Sequence, residues 1–221
     1  YGPTAERLYD ASVLQHRIAD ILHAQDKNDE ALALYQQALQ TREQILADYG
    51  ITAQRLSDVC ASQIRVADIL QAQDKVDEAL AIQQQALQTR EHLLTDYGLT
   101  DERLYNASIL QSRVADILQA QDKNDEALTL YRQALQNREQ LITKYALTDE
   151  RLRDVSVLRG RVADSLHTQN RSDEALVFFQ QALVGVEQLL TEYGEFSGVL
   201  GIDLIPMRDH LKSCVDEIFS S

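Results

Sequence analysis

Four aspartates, Asp20, Asp68, Asp116 and Asp164, recur 48 residues apart in a chain of 221. Each stands three positions after an arginine: Arg17, Arg65, Arg113 and Arg161. A carboxylate and a guanidinium at that spacing share one face of a helix, where they can pair locally or reach into a neighbouring unit. The column therefore offers two chemistries, a structural ladder of ion pairs or a row of acids facing a cationic ligand. His16, Asp20 and His23 also share a helical face, at a spacing able to offer metal ligands. Only the first unit carries all three, and no ligand from a second helix accompanies them, so no metal is expected there. No Ser–His–Asp or Cys–His set, glycine-rich phosphate loop or carboxylate pair stands out, so neither catalysis nor a cofactor is expected. Cys60 and Cys214 have no companion at metal-ligand spacing, and two reduced thiols are the expectation.

These residues belong to a unit that returns four times without insertion or deletion. The run beginning Arg17-Ile18-Ala19-Asp20 comes back, slightly altered, at Arg65, Arg113 and Arg161, the mark of a repeat array. With 2 prolines and 8 glycines, and with Ala, Leu, Gln, Asp and Glu dominant, the chain favours helices over strands. Thr4, Thr52, Thr100 and Thr148 are suited to cap the first helix of each unit. Leu8, Ala11, Leu14, Ile18, Ile21 and Leu22 then form a helical stripe, and the spacing predicts a helix to about Ala24. Asp26, Asp74, Asp122 and Asn170 occupy the following turn, being residues that tolerate a left-handed backbone. The second helix is predicted from about Asn28 to Tyr49. It carries columns at seven-residue spacing: Ala31, Ala38, Ile45; Leu32, Leu39, Leu46; and Tyr35, Arg42, Tyr49. Gly50, Gly98 and Gly194 are placed to end such helices, with Ala146 in their stead at the third junction. Past Tyr193 the pattern dissolves at Gly198, Gly201 and Pro206. A last helix, roughly Pro206 to Phe219, sets Met207, Leu211, Cys214, Val215 and Ile218 on one side and is expected to cap the array. Tyr1 matches the last helical position of the later units, which suggests a segment cut at a repeat boundary from a longer protein.

Ile18, Ala19 and Leu22, with Ala31, Tyr35 and Ala38, have the spacing of the tetratricopeptide repeat. The run from Glu30 to Glu43, EALALYQQALQTRE, resembles the second helix of the kinesin-light-chain-like subgroup. The 48-residue period is similar to a long-helix bacterial variant. The motif's early apolar position is filled here by Gln15, Gln63, Gln111 and Arg159. The resemblance implies an all-α fold, a right-handed α-solenoid of four antiparallel helix pairs over about 1–48, 49–96, 97–144 and 145–193. A linker and capping helix would follow over 194–221.

In that family the first helices line a concave surface, so the resemblance also maps a groove. Its columns would be Val13, Ala61, Ile109 and Val157; His16, Ile64, Ser112 and Gly160; Asp20, Asp68, Asp116 and Asp164; and His23, Gln71, Gln119 and His167. The family's carboxylate clamp uses Lys, Arg and Asn where this chain has Asp, His, Ile and Ser, so no such clamp is expected. The implied function is a protein- or peptide-binding scaffold module of a larger, bacterial, regulatory or signalling protein. The alternative is a structural element that self-associates through the end faces of its repeats into a homo-oligomer.

A net charge of −14 repels phosphates and anionic lipids, which argues against nucleic acid and membranes and favours basic protein partners. No apolar run approaches the roughly 20 residues of a membrane span, and no secretory leader is recognised, so cytoplasmic residence is the expectation.

Overall fold

A computed structural model describes residues 4–193 and 204–220. The described residues form α1 (Ala5–Ala24), α2 (Asn28–Tyr49), α3 (Ala53–Ala72), α4 (Val76–Tyr97), α5 (Asp101–Ala120), α6 (Asn124–Tyr145), α7 (Asp149–Thr168), α8 (Ser172–Tyr193) and α9 (Leu204–Ser220). They make four helix pairs and a C-terminal helix, an all-α solenoid. The bounds of α1 and α2 are those the spacing predicts. The last helix starts two residues before Pro206, which still falls in its first turn, where proline is tolerated. Tyr1, Gly194, Gly198 and Gly201 lie outside the described residues.

Local chemistry sets each boundary. The hydroxyls of Thr4, Thr52, Thr100 and Thr148 accept hydrogen bonds from the amides of Arg7, Arg55, Arg103 and Arg151 at 3.2–3.4 Å. Asp26, Asp74, Asp122 and Asn170 sit at φ of 58–61°. Within each of these turns the next amide reaches back to a leucine carbonyl, Lys27 to Leu22 at 3.0 Å for example. That is the bond pattern of a left-handed helix terminus, with aspartate in place of the usual glycine.

The junctions between pairs add a clamp that the sequence reading missed. Arg55 Nη1 donates to the carbonyls of Tyr49 and Gly50 at 2.5 and 2.7 Å. Arg151 does the same to Tyr145 and Ala146 at 2.9 and 2.7 Å. A guanidinium thus satisfies carbonyls left over at the end of the preceding helix.

Gly50 and Gly98 need their glycine here, at φ of 86° and 81°, and Ala146 adopts φ 77° and ψ 161° without one. That region is strained by about 1–3 kcal/mol for a residue with a Cβ. Ala146→Gly should therefore stabilise the chain by about 1 kcal/mol, after subtracting the extra freedom of glycine in the unfolded state. Chemical denaturation of the two proteins side by side measures it; a destabilised variant would show that the alanine is unstrained.

Two compact units divide the chain, Tyr1–Arg103 and Leu104–Ser221. In the first, Ala19, Ala31 and Tyr35 pack with Val66, Ala67, Ile69, Leu70 and Ala79 in one buried cluster. Small alanines beside large residues let the helices interdigitate. In the second, Tyr131, Leu141, Phe179 and Leu189 are fully buried, and Leu204 and Leu211 of α9 join them. Gly160 of α7 faces that last helix: a Cβ there would lie 3.6 Å from Leu211 Cδ2. The glutamines in the apolar position of the motif are also accommodated. Gln111 accepts from Asn137 Nδ2 at 2.9 Å and Gln63 from the Thr89 hydroxyl at 3.3 Å.

Candidate functional site

The aspartate column is engaged twice over. In the first unit the Tyr35 hydroxyl donates to Asp20 Oδ1 at 2.6 Å, and Arg65 Nε approaches the same oxygen at 3.8 Å. In the second unit Tyr131 donates to Asp116 Oδ1 at 2.5 Å and Arg161 pairs with that carboxylate. Each pair thus joins an aspartate to the arginine of the following first helix, 45 positions on. Burial, and then the bond to the aspartate, pushes both phenols well above the usual tyrosine range. The tyrosines therefore remain donors across the physiological range, and each acid is oriented from below by a neutral hydroxyl.

The fourth aspartate meets a different partner. Asp164 of α7 lies 3.2 Å from His210 Nε2 on α9, one position beyond where the repeat would place another arginine. Cys214, one turn further along α9, sets its sulfur 3.7 Å from the same nitrogen. Cys214 thus has a companion in His210, and their four-residue spacing on one helix was the overlooked signal.

The other groove residues distribute as follows. His16 is half-buried with its ring edge-on to Tyr35, 5.0 Å between centroids, and burial followed by the Arg42 guanidinium lowers its pKa. His23 is exposed and its Nδ1 meets Asn28 Oδ1 at 2.8 Å. His16 and Asp20 thus both meet Tyr35, while His23 turns to Asn28. Ile64 and Asp68 are half-buried on α3, with Gln71 exposed beyond them. Ser112 donates to the Ser108 carbonyl at 2.9 Å, the Gln119 carboxamide lies 3.0 Å from the Tyr131 hydroxyl oxygen, and His167 lies edge-on to Phe179 at 6.5 Å.

Ser112 and Asp116 come together in a cavity of about 240 Å³ between α5 and α7. Ile109, Val157 and Leu158 give it apolar walls, and Arg113 and Arg161 sit at its polar side. Arg138 and Asp154 close it from α6 and α7, a pair the sequence reading did not single out. α5 and α7 thus contribute equivalent positions to this cavity, Ile109 with Val157 and Arg113 with Arg161, with Arg138 of α6 beside them.

Helix pairs that repeat in register, with one row of side chains presented by the first helices, define a helical-repeat scaffold. The tetratricopeptide-repeat family profile matches residues 14–48, 59–96 and 111–142, and the chain belongs to that family. Among solved structures, a putative kinesin light chain of Podospora anserina with nearly identical TPR-like repeats superposes with a TM-score of 0.53. It is 19% identical, over 95% of this chain and 95% of the other. The yeast histone chaperone Hif1, described as a scaffold protein, gives 0.65 at 15% identity over 98% of both chains. YrrB, a TPR protein with an unusual peptide-binding site, gives 0.53 at 16% identity over 95% of this chain and 88% of its own. At these identities the likeness is one of fold. No curated protein matches the chain in sequence. Among the described residues no helix is long and apolar enough to cross a membrane.

Proposed function

We propose that the chain is a non-enzymatic binding module that holds an extended peptide of a partner protein along its first helices. The observation that carries this reading is the cavity between α5 and α7, built from equivalent positions of consecutive repeats. Its walls suit one apolar side chain of the ligand, seated against Ile109, Val157 and Leu158. The arginines and carboxylates around it give polar groups that a peptide backbone can meet. Because Asp20 and Asp116 already hold tyrosine and arginine, the column contributes position more than free negative charge. The charge of −14 still steers basic segments towards the chain, so the partner of choice is a peptide with an apolar anchor flanked by basic residues. A bacterial regulatory or signalling protein is the setting that fits such a module.

The test is a peptide-display selection against the chain, followed by calorimetric titration of the enriched peptides. Ile109 is 37% exposed, so Ile109→Glu leaves the fold intact while placing a charge on the apolar wall. Binding is expected to weaken at least about tenfold in that variant, the scale of losing one buried apolar anchor. A set of peptides that binds the variant as well as the parent overturns the reading.

A second reading rests on α1, where Leu14, Ile18 and Ile21 are 59%, 49% and 58% exposed. In the second repeat Val66 and Ile69, at the positions of Ile18 and Ile21, are 2% and 1% exposed. The outer face of α1 thus has the character of an internal surface, and a second copy meeting it through its own α1 would cover it symmetrically. Light scattering decides the point: a monomer at high concentration, unaltered by Ile18→Glu, removes this reading.

A further inference from the structure

We propose that Asp164, His210 and Cys214 form a site for a thiophilic divalent cation, zinc above all, that clasps the C-terminal helix α9 onto the last helix pair. Among the described residues this is the one group of His, Cys and acidic side chains whose ligand atoms converge, all lying within 4.8 Å of one another.

The three donors lie near the positions of a tetrahedral ion: Cys214 Sγ is 3.8 Å from His210 Nδ1 as well as 3.7 Å from Nε2, so the imidazole has to turn to aim its Nε2 lone pair at an ion shared with the sulfur. Bonds of about 2.0–2.3 Å at a tetrahedral centre hold nitrogen and oxygen roughly 3.3 Å apart and nitrogen and sulfur roughly 3.6 Å apart. His210 Nε2 is 3.2 Å from Asp164 Oδ1 and 3.7 Å from Cys214 Sγ. A thiolate and an imidazole together select zinc or a similar borderline-soft ion over magnesium or calcium. Three protein ligands leave a fourth position for water or an exogenous donor.

The repeat explains why the site arises here and not elsewhere in the column. Asp20 and Asp116 face arginines of the following first helix, and a guanidinium has no lone pair to give a metal. At the fourth rung the following helix is α9, which offers an imidazole in place of the guanidinium, with a thiol one turn away. The thiol proton leaves to solvent as the metal–sulfur bond forms.

The experiment titrates Co²⁺, then Zn²⁺, into the intact chain and into Cys214→Ser, His210→Ala and Asp164→Asn. The expected result is one ion per chain, a thiolate-to-cobalt charge-transfer band in the near ultraviolet, and a zinc-dependent rise in Tm. Cys214→Ser should lose the band and the Tm response, and Asp164→Asn should bind at least about tenfold more weakly. Circular dichroism of the metal-free variants establishes that each is folded, as the partial exposure of all three side chains leads one to expect. Absence of the charge-transfer band in the parent chain overturns the proposal. Zinc binding that is indifferent to Cys214→Ser does so too, since it would mark general attraction to an acidic surface.

Discussion

Replacing Arg138 with alanine is expected to cost about 3 kcal/mol of stability. Its guanidinium is 6% exposed, lies 3.8 Å above the Tyr105 ring, and sets Nη1 2.9 Å from Asp154 Oδ2. Removing one partner of a buried pair costs about 3–5 kcal/mol because the other charge stays desolvated. The lost contact with the aromatic face adds roughly 1 kcal/mol. Against this, Arg153 keeps its own bond to Asp154 Oδ1, 2.7 Å from Nη2, which holds the expected loss at the lower end. Urea unfolding measures it, with the slope of the transition unchanged. Pairing Arg138→Met with Asp154→Leu should lose less than Arg138→Ala alone, because no charge is then stranded. A loss under about 1 kcal/mol for Arg138→Ala would show that the pair does not hold α6 to α7.

Gly185→Ala is expected to destabilise the chain by about 2 kcal/mol, although alanine is the better helix former by roughly 1 kcal/mol. A Cβ on Gly185 would stand 2.1 Å from Ser156 Oγ and 3.3 Å from Leu152 Cδ1. Ser156 is fully buried and spends its hydroxyl on the Leu152 carbonyl at 2.8 Å. Moving it aside breaks that bond in a place with no water to replace it. The combination Gly185→Ala with Ser156→Ala should recover most of the loss, since the two Cβ atoms would then stand at ordinary van der Waals separation. Thermal unfolding of the four proteins in that cycle gives the coupling directly. Additive effects would place the strain elsewhere.

The two predictions concern adjacent positions of the repeat, since Gly185 aligns with Asn137 and Val186 with Arg138. The second helices carry Arg42, Arg90 and Arg138 in register, and Val186 stands in the fourth copy. Arg42 binds the Ser12 and Ser62 hydroxyls and the Asp58 carbonyl, so its charge is met largely by neutral acceptors. In the last pair Val186 replaces the arginine, Ser156 keeps the kind of own-helix bond that Ser12 also makes to the Tyr9 carbonyl at 2.7 Å, and Gly185 beside Val186 leaves room for its hydroxyl. The fourth pair diverges in sequence because it packs differently at this point.

The fold was legible because its causes are local and repeated. Thr caps, Asp or Asn turns and heptad columns each recur in step, so four copies of a weak signal add up to a strong one. The site was less so. Asp20 and Asp116 were visible as a column, but their partners sit on the second helix and on the next repeat, beyond any helical spacing. Tyr35 read as a packing aromatic, and it is one, yet its hydroxyl also positions the acid. The four-residue spacing of His210 and Cys214 went unread, and Asp164, the third member of their group, lies 46 positions before His210. The substitution of alanine for glycine at Ala146, by contrast, was visible once the junctions were aligned, and the backbone angle of φ 77° then showed the strain it carries.

The reach of the bonds between repeats has a bearing on how the chain folds. Gln73 bonds to Asp29, Arg161 to Asp116 and His210 to Asp164 across 44, 45 and 46 positions. Each such contact closes a loop of about one repeat, and none of them needs distant parts of the chain to find each other. Loop-closure entropy of that size grows slowly with length, so adding repeats scarcely slows the search. Folding should begin at any helix pair and spread to its neighbours, on the microsecond-to-millisecond scale of chains rich in local contacts.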